Sequence, residues 1–205
     1  MSLDGFVAGP NQSVENPLGI GGMRLHEWVV PLAFWRSMHG LPGGEVNESN
    51  RVVEESSANI GATVMGRNMF GGHPGPWAAK EPWKGWWGDN PPFHHPVFVL
   101  THHPREPLEL EGGTTFTFVT DGIHAALEQA RDAAVGKDVS LAGGANVAQQ
   151  YLAAGLVDEM EINLAPTLLG GGERLFDGVG DDLHGLSLVR TVATPAVTHL
   201  QYARR

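Results

Sequence analysis

Residues 139–152 read VSLAGGANVAQQYL, and the organisation of the chain can be worked out from this stretch. It begins as an apolar strand, passes through Gly143 and Gly144, and continues as a helix. A strand that runs through glycine into a helix directs backbone N–H groups and the positive end of the helix dipole towards one point, where phosphate binds well. Glycine is also common in turns that bind nothing, so the pair alone leaves both interpretations open.

A similar transition occurs earlier, in ATVMGRNMFGG, residues 62–72. A buried strand over 62–65 ends at Gly66, and Arg67 and Asn68 begin a helix, which adds a guanidinium group to the turn. Arg67 could equally pair with a surface acid. Between the two transitions, residues 114–120 alternate like a half-buried strand, and we expect Asp121 to cap a helix from Gly122 to about Val135. Strands that alternate with helices predict an α/β fold with parallel pairing.

The composition excludes several classes of function. The chain has 205 residues, a formal net charge of -10 and only 13 Lys and Arg, which argues against binding to nucleic acid or to an anionic membrane. It has no cysteine, so thiolate catalysis and disulfides are absent. The first residues show neither the basic region nor the apolar run of a signal peptide, and no apolar run is long enough to cross a bilayer, so we expect a cytoplasmic protein.

The stretch 71–96 is rich in Pro, Gly and Trp and predicts a long ordered loop rather than a helix or strand. Its tryptophans suit contact with a flat ligand ring, or else a small satellite core under the loop. The adjacent pairs His94–His95 and His102–His103 lack a metal-binding spacing, because neighbouring residues on a strand point to opposite faces. We therefore expect no metal.

The remaining elements complete one domain over residues 1–205. Residues 1–8 predict a short strand, 23–38 two short helical pieces interrupted by Pro31, and 47–60 a helix capped by Asn47 or Ser49 and stopped by Gly61. Residues 157–169 predict a long strand bent near Pro166. Residues 186–194 and 196–203 predict an antiparallel hairpin that finishes the sheet.

Four segments in order resemble the dihydrofolate reductase-like family, in the branch of the riboflavin biosynthesis reductase domain (RibD C-terminal-like). They are SLDGFVAG at 2–9, VMGRNMF at 64–70, VFVLTHHP at 97–104 and LAGGANVAQQYL at 141–152, followed by VDEMEINLAPTLLGGGERLF at 157–176. The resemblance implies a three-layer fold: a mixed, mostly parallel central sheet flanked by helices, with an antiparallel C-terminal hairpin.

The resemblance also implies a cofactor, NADPH or NADH, and the residues that hold it. Gly143 and Gly144, whose shared peptide bond is often cis in the family, and Ala145 and Asn146 match the pyrophosphate site. The remaining cofactor-binding candidates are Ala8, Gly66, Arg67, Asn68, Thr101, His102 and Thr120. His102 stands where relatives often have the arginine that binds the 2′-phosphate, and imidazole is a weaker, pH-dependent substitute.

On the substrate side, the resemblance places Leu3, Asp4 and Gly5 between the nicotinamide and the substrate. Asp4 is the catalytic candidate, as proton donor or orienting group, although an Asp before Gly is also an ordinary turn residue. Glu173 is a second polar candidate, and Trp86 and Trp87 are expected to close over a planar substrate.

The prediction from the sequence is an NADPH-dependent reductase, an oxidoreductase that acts on a small planar heterocycle or carbonyl compound, as a cytoplasmic homodimer. The alternatives are a non-catalytic protein that binds a nucleotide or aromatic ligand on the same fold, and a scaffold whose tryptophans contact a partner. The acidic chain lacks an evident basic cluster for a phosphoribose, which leaves the substrate open.

Overall fold

The computed structural model describes residues 1–78, 83–181 and 183–205. Its strands are β1 (Phe6–Ala8), β2 (Ile60–Gly66), β3 (Pro96–Leu100), β4 (Leu108–Glu109), β5 (Thr115–Val119), β6 (Asp138–Gly143), β7 (Glu159–Leu164), β8 (Glu173–Arg174), β9 (Leu186–Ala193) and β10 (Thr198–Arg204). Its α-helices are α1 (Ala33–Met38), α2 (Glu48–Ser57), α3 (Arg67–Phe70), α4 (Gly122–Ala134) and α5 (Ala145–Ala153). The chain divides into two compact units: unit 1 is Met1–Ala58 with Gln149–Arg205, and unit 2 is Asn59–Ala148.

The sheet of unit 2 has the strand order β4-β5-β3-β2-β6, with β5, β3, β2 and β6 parallel to one another. Its central strands are apolar runs buried on both faces, as parallel strands covered by other elements require. Helix α4 packs on β2 and β3 through Ala126, Ala130 and Ala134, which share one face because they are spaced four residues apart. The predicted mixed, mostly parallel sheet with flanking helices is confirmed.

The tryptophan-rich loop belongs to the core of unit 2. Trp77, Trp83, Trp87 and Phe93 pack against a buried cluster that contains Phe70 and Phe116, among other side chains. Within residues 71–78 and 83–95, the structure assigns no helix or strand, in agreement with the loop prediction.

The main sheet of unit 1 is antiparallel and has the order β7-β10-β9. The predicted C-terminal hairpin is confirmed as β9 and β10. The sequence predicted that this hairpin finishes the parallel sheet, and that prediction is wrong. Strand β10 pairs with β7 in a separate sheet. Strand β7 is also shorter than predicted and ends at Leu164, before Ala165 and Pro166.

A buried polar network ties α2 to this sheet. His199 of β10 is fully buried, and its Nε2 lies 2.9 Å from Ser49 Oγ while its Nδ1 contacts Asn163 Oδ1 of β7. The edge of Trp28 packs on the imidazole ring. Because unpaired buried polar groups are costly, these partners account for a histidine in an apolar interior.

Two predicted boundaries in this part of the chain are wrong. The strand expected over residues 1–8 is limited to β1, because Gly5 takes a φ of +86° and turns the chain. Helix α2 ends at Ser57, and Gly61 lies inside β2, where a Cβ would come within 2.5 Å of Ala134 O. Asn47 is the cap of α2 and accepts the Asn50 N–H, as predicted. The two helical pieces expected around Pro31 are present as the 3-10 helix Gly22–Leu25 and α1.

Candidate functional site

The cofactor-binding candidates of unit 2 lie at one edge of its sheet. Gly143 ends β6, Gly66 ends β2, Thr101 follows β3 and Thr120 follows β5. The register aligns these ends, with Met65 opposite Gly143, Gly66 opposite Leu100, and Leu100 opposite Val119. Ligands of open parallel sheets bind outside the carboxyl ends of the strands, so this edge is where a nucleotide would be expected.

Gly143 and Gly144 join β6 to α5 through a cis peptide bond, the geometry that the resemblance implies for the pair. The N–H groups of Val147 and Ala148 both donate to Gly144 O at 3.1 Å, which marks the first turn of α5. A Cβ atom at either glycine would meet nothing within 4 Å. Gly143 has a φ of +104°, which favours glycine, but neither backbone conformation nor packing requires glycine at position 144.

Gly66 has a different explanation. A Cβ atom there would lie 2.7 Å from Val147 Cγ2, so the end of β2 and the first turn of α5 pack too closely for any side chain. Packing inside unit 2 therefore accounts for this glycine without a ligand. That Gly66 lies at a cofactor phosphate remains a prediction, and only the backbone of Gly66 could make that contact.

Replacing Gly66 by Ala is expected to destabilise the protein by about 1–3 kcal/mol, the usual cost of overpacking a tight contact. Removing the Val147 methyl groups in the double variant Gly66→Ala/Val147→Ala should recover part of that loss. Urea unfolding of the parent, both single variants and the double variant measures the coupling. Additive losses would show that the two residues do not press on each other.

Arg67 stacks on an aromatic ring. Its Cζ lies 3.6 Å from the Trp77 ring centroid, and its Nη2 donates to His73 O at 2.9 Å. Its Nε is buried and has no hydrogen-bond partner among the described residues. Burial first, and then the positive charge of Arg105, lower the pKa of Arg67.

Arg105 was not predicted from the sequence. Its Cζ lies 4.9 Å from the same Trp77 centroid and 5.1 Å from that of Phe118, and its Nη1 donates to Trp83 O at 2.6 Å. Its Nη2 is buried and also lacks a partner in the part of the chain that the structure describes. Two guanidinium groups on one indole, each with an unsatisfied nitrogen, form a site suited to an anion. The sequence signal that could have indicated Arg105 as a candidate is its position just after the Thr101–His102 turn.

The other candidates at this edge differ in exposure. Thr101 is buried and its Oγ1 accepts the His103 N–H at 3.1 Å, so this hydroxyl holds its own turn. The turn is anchored further by Trp77 Nε1, which donates to His103 O at 2.8 Å. The following candidates are exposed: Asn68, His102, Thr120 and Asn146. Ala145 is buried, which leaves its backbone N–H as the group that could contact a ligand.

The two tryptophans predicted to cover a substrate lie in different surroundings. Trp87 packs between Phe93, at 4.8 Å between ring centroids, and Phe116, at 6.2 Å. This favours the satellite-core interpretation for Trp87. Trp86 meets Trp83 edge-on at 4.8 Å and lies against the backbone of Gly71, where a Cβ would come within 2.3 Å of its ring.

In unit 1, the Asp4 carboxylate is held by its own chain. It accepts the Leu169 N–H at 3.1 and 3.2 Å and the Gly170 N–H at 2.7 Å. The pKa of Asp4 is lowered to about 2. The hydrogen bond with the Ser2 side chain is the largest cause, followed by those from the Gly170 and Leu169 N–H groups, while desolvation opposes the shift. A carboxylate that is ionised at neutral pH cannot donate a proton there, so the geometry argues against Asp4 as the proton donor. It agrees with an orienting role and with the alternative of a turn residue.

The Asp4→Asn variant is expected to lower the melting temperature at neutral pH. Because the folded pKa lies below the ordinary value of 3.8, the ionised side chain stabilises the fold above about pH 4. This contribution is lost as the pH falls towards 2. Thermal melts of parent and variant from neutral pH to the lowest pH at which both fold should therefore converge. A difference in melting temperature that does not change with pH would show that the variant is destabilised by something other than the loss of the Asp4 charge.

The other candidates of unit 1 surround Asp4. Leu3 is 58% exposed, and Gly5 turns the chain with its α-carbon facing Arg174, whose Nη1 would lie 3.4 Å from a Cβ. Ala8 is buried in β1 opposite Glu173 of β8, so only its backbone could contact a cofactor. Glu173 itself is exposed. Among the residues described, no cluster of three or more His, Asp or Glu could hold a metal.

The comparison with protein families identifies the chain. The family model of the RibD C-terminal domain matches residues 1–200, nearly the whole sequence. The chain belongs to this family. The branch predicted from the sequence motifs, the RibD C-terminal domain, is therefore confirmed. No curated protein is similar enough in sequence to count as a match.

Three solved structures show that the fold is shared with other proteins. A protein from Shewanella sp. PV-4, named for riboflavin biosynthesis, is 21% identical with a TM-score of 0.60, over 100% of this chain and 95% of the other. Acinetobacter baumannii RibD (form 2) is 18% identical with a TM-score of 0.55, over 98% of this chain and 55% of the other. A Thermotoga maritima diaminohydroxyphosphoribosylaminopyrimidine deaminase/5-amino-6-(5-phosphoribosylamino)uracil reductase is 15% identical with a TM-score of 0.56, over 100% and 54%. The chain spans about half the length of the last two.

In the part of the chain described, no helix combines the length and the apolar character needed to cross a membrane.

Proposed function

We propose that this RibD C-terminal domain is an NADPH-dependent reductase that transfers a hydride to a small planar heterocycle or carbonyl compound. The observation that carries the proposal is Gly144, which neither its backbone conformation nor its packing explains. A glycine that the protein itself does not need, at the start of α5 and at the carboxyl edge of the parallel sheet, leaves space for a ligand to approach the backbone.

The residues at this edge fit a dinucleotide. The first turn of α5 directs backbone N–H groups, among them those of Ala145 and Asn146, and the positive end of the helix dipole towards one point, which suits a pyrophosphate. Arg67 and Arg105 bring unsatisfied guanidinium nitrogens that suit a further phosphate. This second anion site favours NADPH over NADH, because the 2′-phosphate is the group that distinguishes the two cofactors.

When bound, the reduced nicotinamide would supply a hydride to the carbon of a C=N or C=O bond. The electron pair of that double bond then moves to the nitrogen or oxygen, which must gain a proton. Asp4 is ionised and does not provide that proton, so we assign its delivery to solvent. In this proposal Asp4 has an orienting role, because it fixes the loop that contains Leu169 and Gly170.

A ligand-binding protein without turnover is the second candidate. The observation that favours it is the Asp4 carboxylate, which accepts the Leu169 and Gly170 N–H groups as an ordinary turn residue would. The two candidates share the cofactor site and differ only in whether an acceptor is reduced.

An assay of cofactor oxidation separates the two candidates. Purified protein is incubated with NADPH and, in turn, with pterins, pyrimidinones and quinones, and the loss of reduced nicotinamide is followed by absorbance. Cofactor binding is measured in parallel through tryptophan fluorescence. Turnover with at least one acceptor supports the reductase. Binding without turnover favours the second candidate, and no binding at millimolar cofactor contradicts both.

The family resemblance also supports a cytoplasmic homodimer as part of this proposal. Sedimentation equilibrium of the purified chain tests the assembly, and a monomer at micromolar concentration would contradict it.

A further inference from the structure

Arg67 and Arg105 of unit 2 carry positive charges without a carboxylate partner. In the part of the chain that the structure describes, the basic members of the ion pairs are Arg51, Lys84, Arg190 and Arg204. Burial and then the charge of Arg105 lower the pKa of Arg67, and burial lowers the pKa of Arg105, whereas a nearby carboxylate would raise both. Two like charges in a partly desolvated position are unfavourable, so an anion that neutralises both is stabilised there.

Each guanidinium group is held in place through one nitrogen and is unsatisfied at another. Arg67 donates from Nη2 to His73 O, and Arg105 donates from Nη1 to Trp83 O. Both groups also lie against the Trp77 ring, with Cζ at 3.6 and 4.9 Å from its centroid. The buried Arg67 Nε and Arg105 Nη2 have no partner among the described residues. Because these contacts already order the two side chains, binding an anion costs little further side-chain entropy.

A phosphate group matches this pair of cations in charge and in hydrogen bonding. It carries close to two negative charges at neutral pH and several strong acceptor oxygens, and guanidinium groups bind such oxygens in pairs. A carboxylate carries only one charge and would leave one cation without compensation. The same phosphate chemistry has two sources, namely the 2′-phosphate of NADPH and free inorganic phosphate. A site that accepts the first therefore also accepts the second.

We infer that inorganic phosphate binds at Arg67 and Arg105 in the free protein and regulates the choice of cofactor, because it competes with NADPH and not with NADH. The competition rests on the proposed function, since only that function assigns the two arginines to the 2′-phosphate. NADH has a hydroxyl group at this position and leaves the phosphate bound. The preference for NADPH over NADH therefore falls as the concentration of phosphate rises.

Thermal melts without cofactor test the phosphate site by itself. Sodium phosphate is compared with sodium chloride of equal ionic strength, for the parent and for Arg67→Ala, Arg105→Ala and the control Arg131→Ala. Phosphate should raise the melting temperature of the parent and of the control, and both other variants should lose this rise. Phosphate also stabilises folded proteins in general, because it is excluded from their surface. An equal rise in all four proteins would therefore overturn the inference.

Calorimetric titration of the parent tests the competition. NADPH and NADH are each titrated at rising phosphate, with chloride keeping the ionic strength constant. Phosphate at about ten times its own dissociation constant should weaken NADPH binding about tenfold and leave NADH binding unchanged. Equal weakening of both cofactors would place the phosphate at the pyrophosphate position and overturn the inference. Absence of NADPH binding, with phosphate stabilisation retained, would contradict the proposed function and the competition while supporting the phosphate site.

Discussion

Replacing Gly144 by Val is expected to weaken NADPH binding about 100-fold, equivalent to about 2.7 kcal/mol. The side chain would occupy the space through which a pyrophosphate reaches the start of α5. No atom of the protein lies within 4 Å of the new Cβ, so the fold should accept it. The expected loss of stability is at most about 1 kcal/mol, because Val is a poorer residue than glycine at a helix start.

Calorimetric titration with NADPH and a thermal melt measure the two effects on the same sample. Gly171→Val is the matched control, since a Cβ at Gly171 meets only Pro10 Cγ, at 4.0 Å, and its φ lies outside the left-handed region. The control should bind NADPH like the parent. If Gly144→Val binds NADPH normally, no cofactor lies against this glycine.

The second large effect is expected at the two arginines on Trp77. Arg67→Ala and Arg105→Ala should each weaken NADPH binding about 30-fold, since a hydrogen bond to a charged group contributes about 2 kcal/mol. NADH, which has no 2′-phosphate, should bind these variants almost as well as the parent. The preference for NADPH should also fall as salt is added, because salt screens the phosphate charge.

Arg131→Ala provides the control, because Arg131 is an exposed arginine near the end of α4 in the same unit. It removes the same charge without touching Trp77. Dissociation constants for NADPH and NADH are measured for the parent and all three variants. Equal losses of affinity for NADPH and NADH would mean that the two arginines contact another part of the dinucleotide or only stabilise the fold.

The sheet edge could be predicted because its signals are local. Apolar or alternating runs that end in Gly66, Thr101, Thr120 and Gly143 each indicate a strand followed by a turn. Their alternation with helices then predicts parallel pairing, which aligns the strand ends. The cap Asn47 is also local, since its side chain and the Asn50 N–H are three residues apart.

Features that depend on distant contacts could not be predicted. The glycine at position 66 suggested a phosphate, whereas the structure explains it by Val147, which belongs to another element. Arg105 became a candidate only because Trp77 places it beside Arg67. Two of the groups that hold the Asp4 carboxylate are the N–H groups of Leu169 and Gly170, at the other end of the chain. An Asp before a Gly has the same local sequence whether it donates a proton or closes a turn.

The central claim is that the carboxyl edge of the unit 2 sheet binds a reduced nicotinamide dinucleotide. Calorimetric titration of the purified chain with NADPH tests it most directly. The account predicts one molecule bound per chain, with a dissociation constant in the range of about 1 μM to 1 mM that is usual for enzyme ligands. The account also predicts that the same titration is about 100-fold weaker in Gly144→Val. Absence of binding at millimolar NADPH would contradict the account.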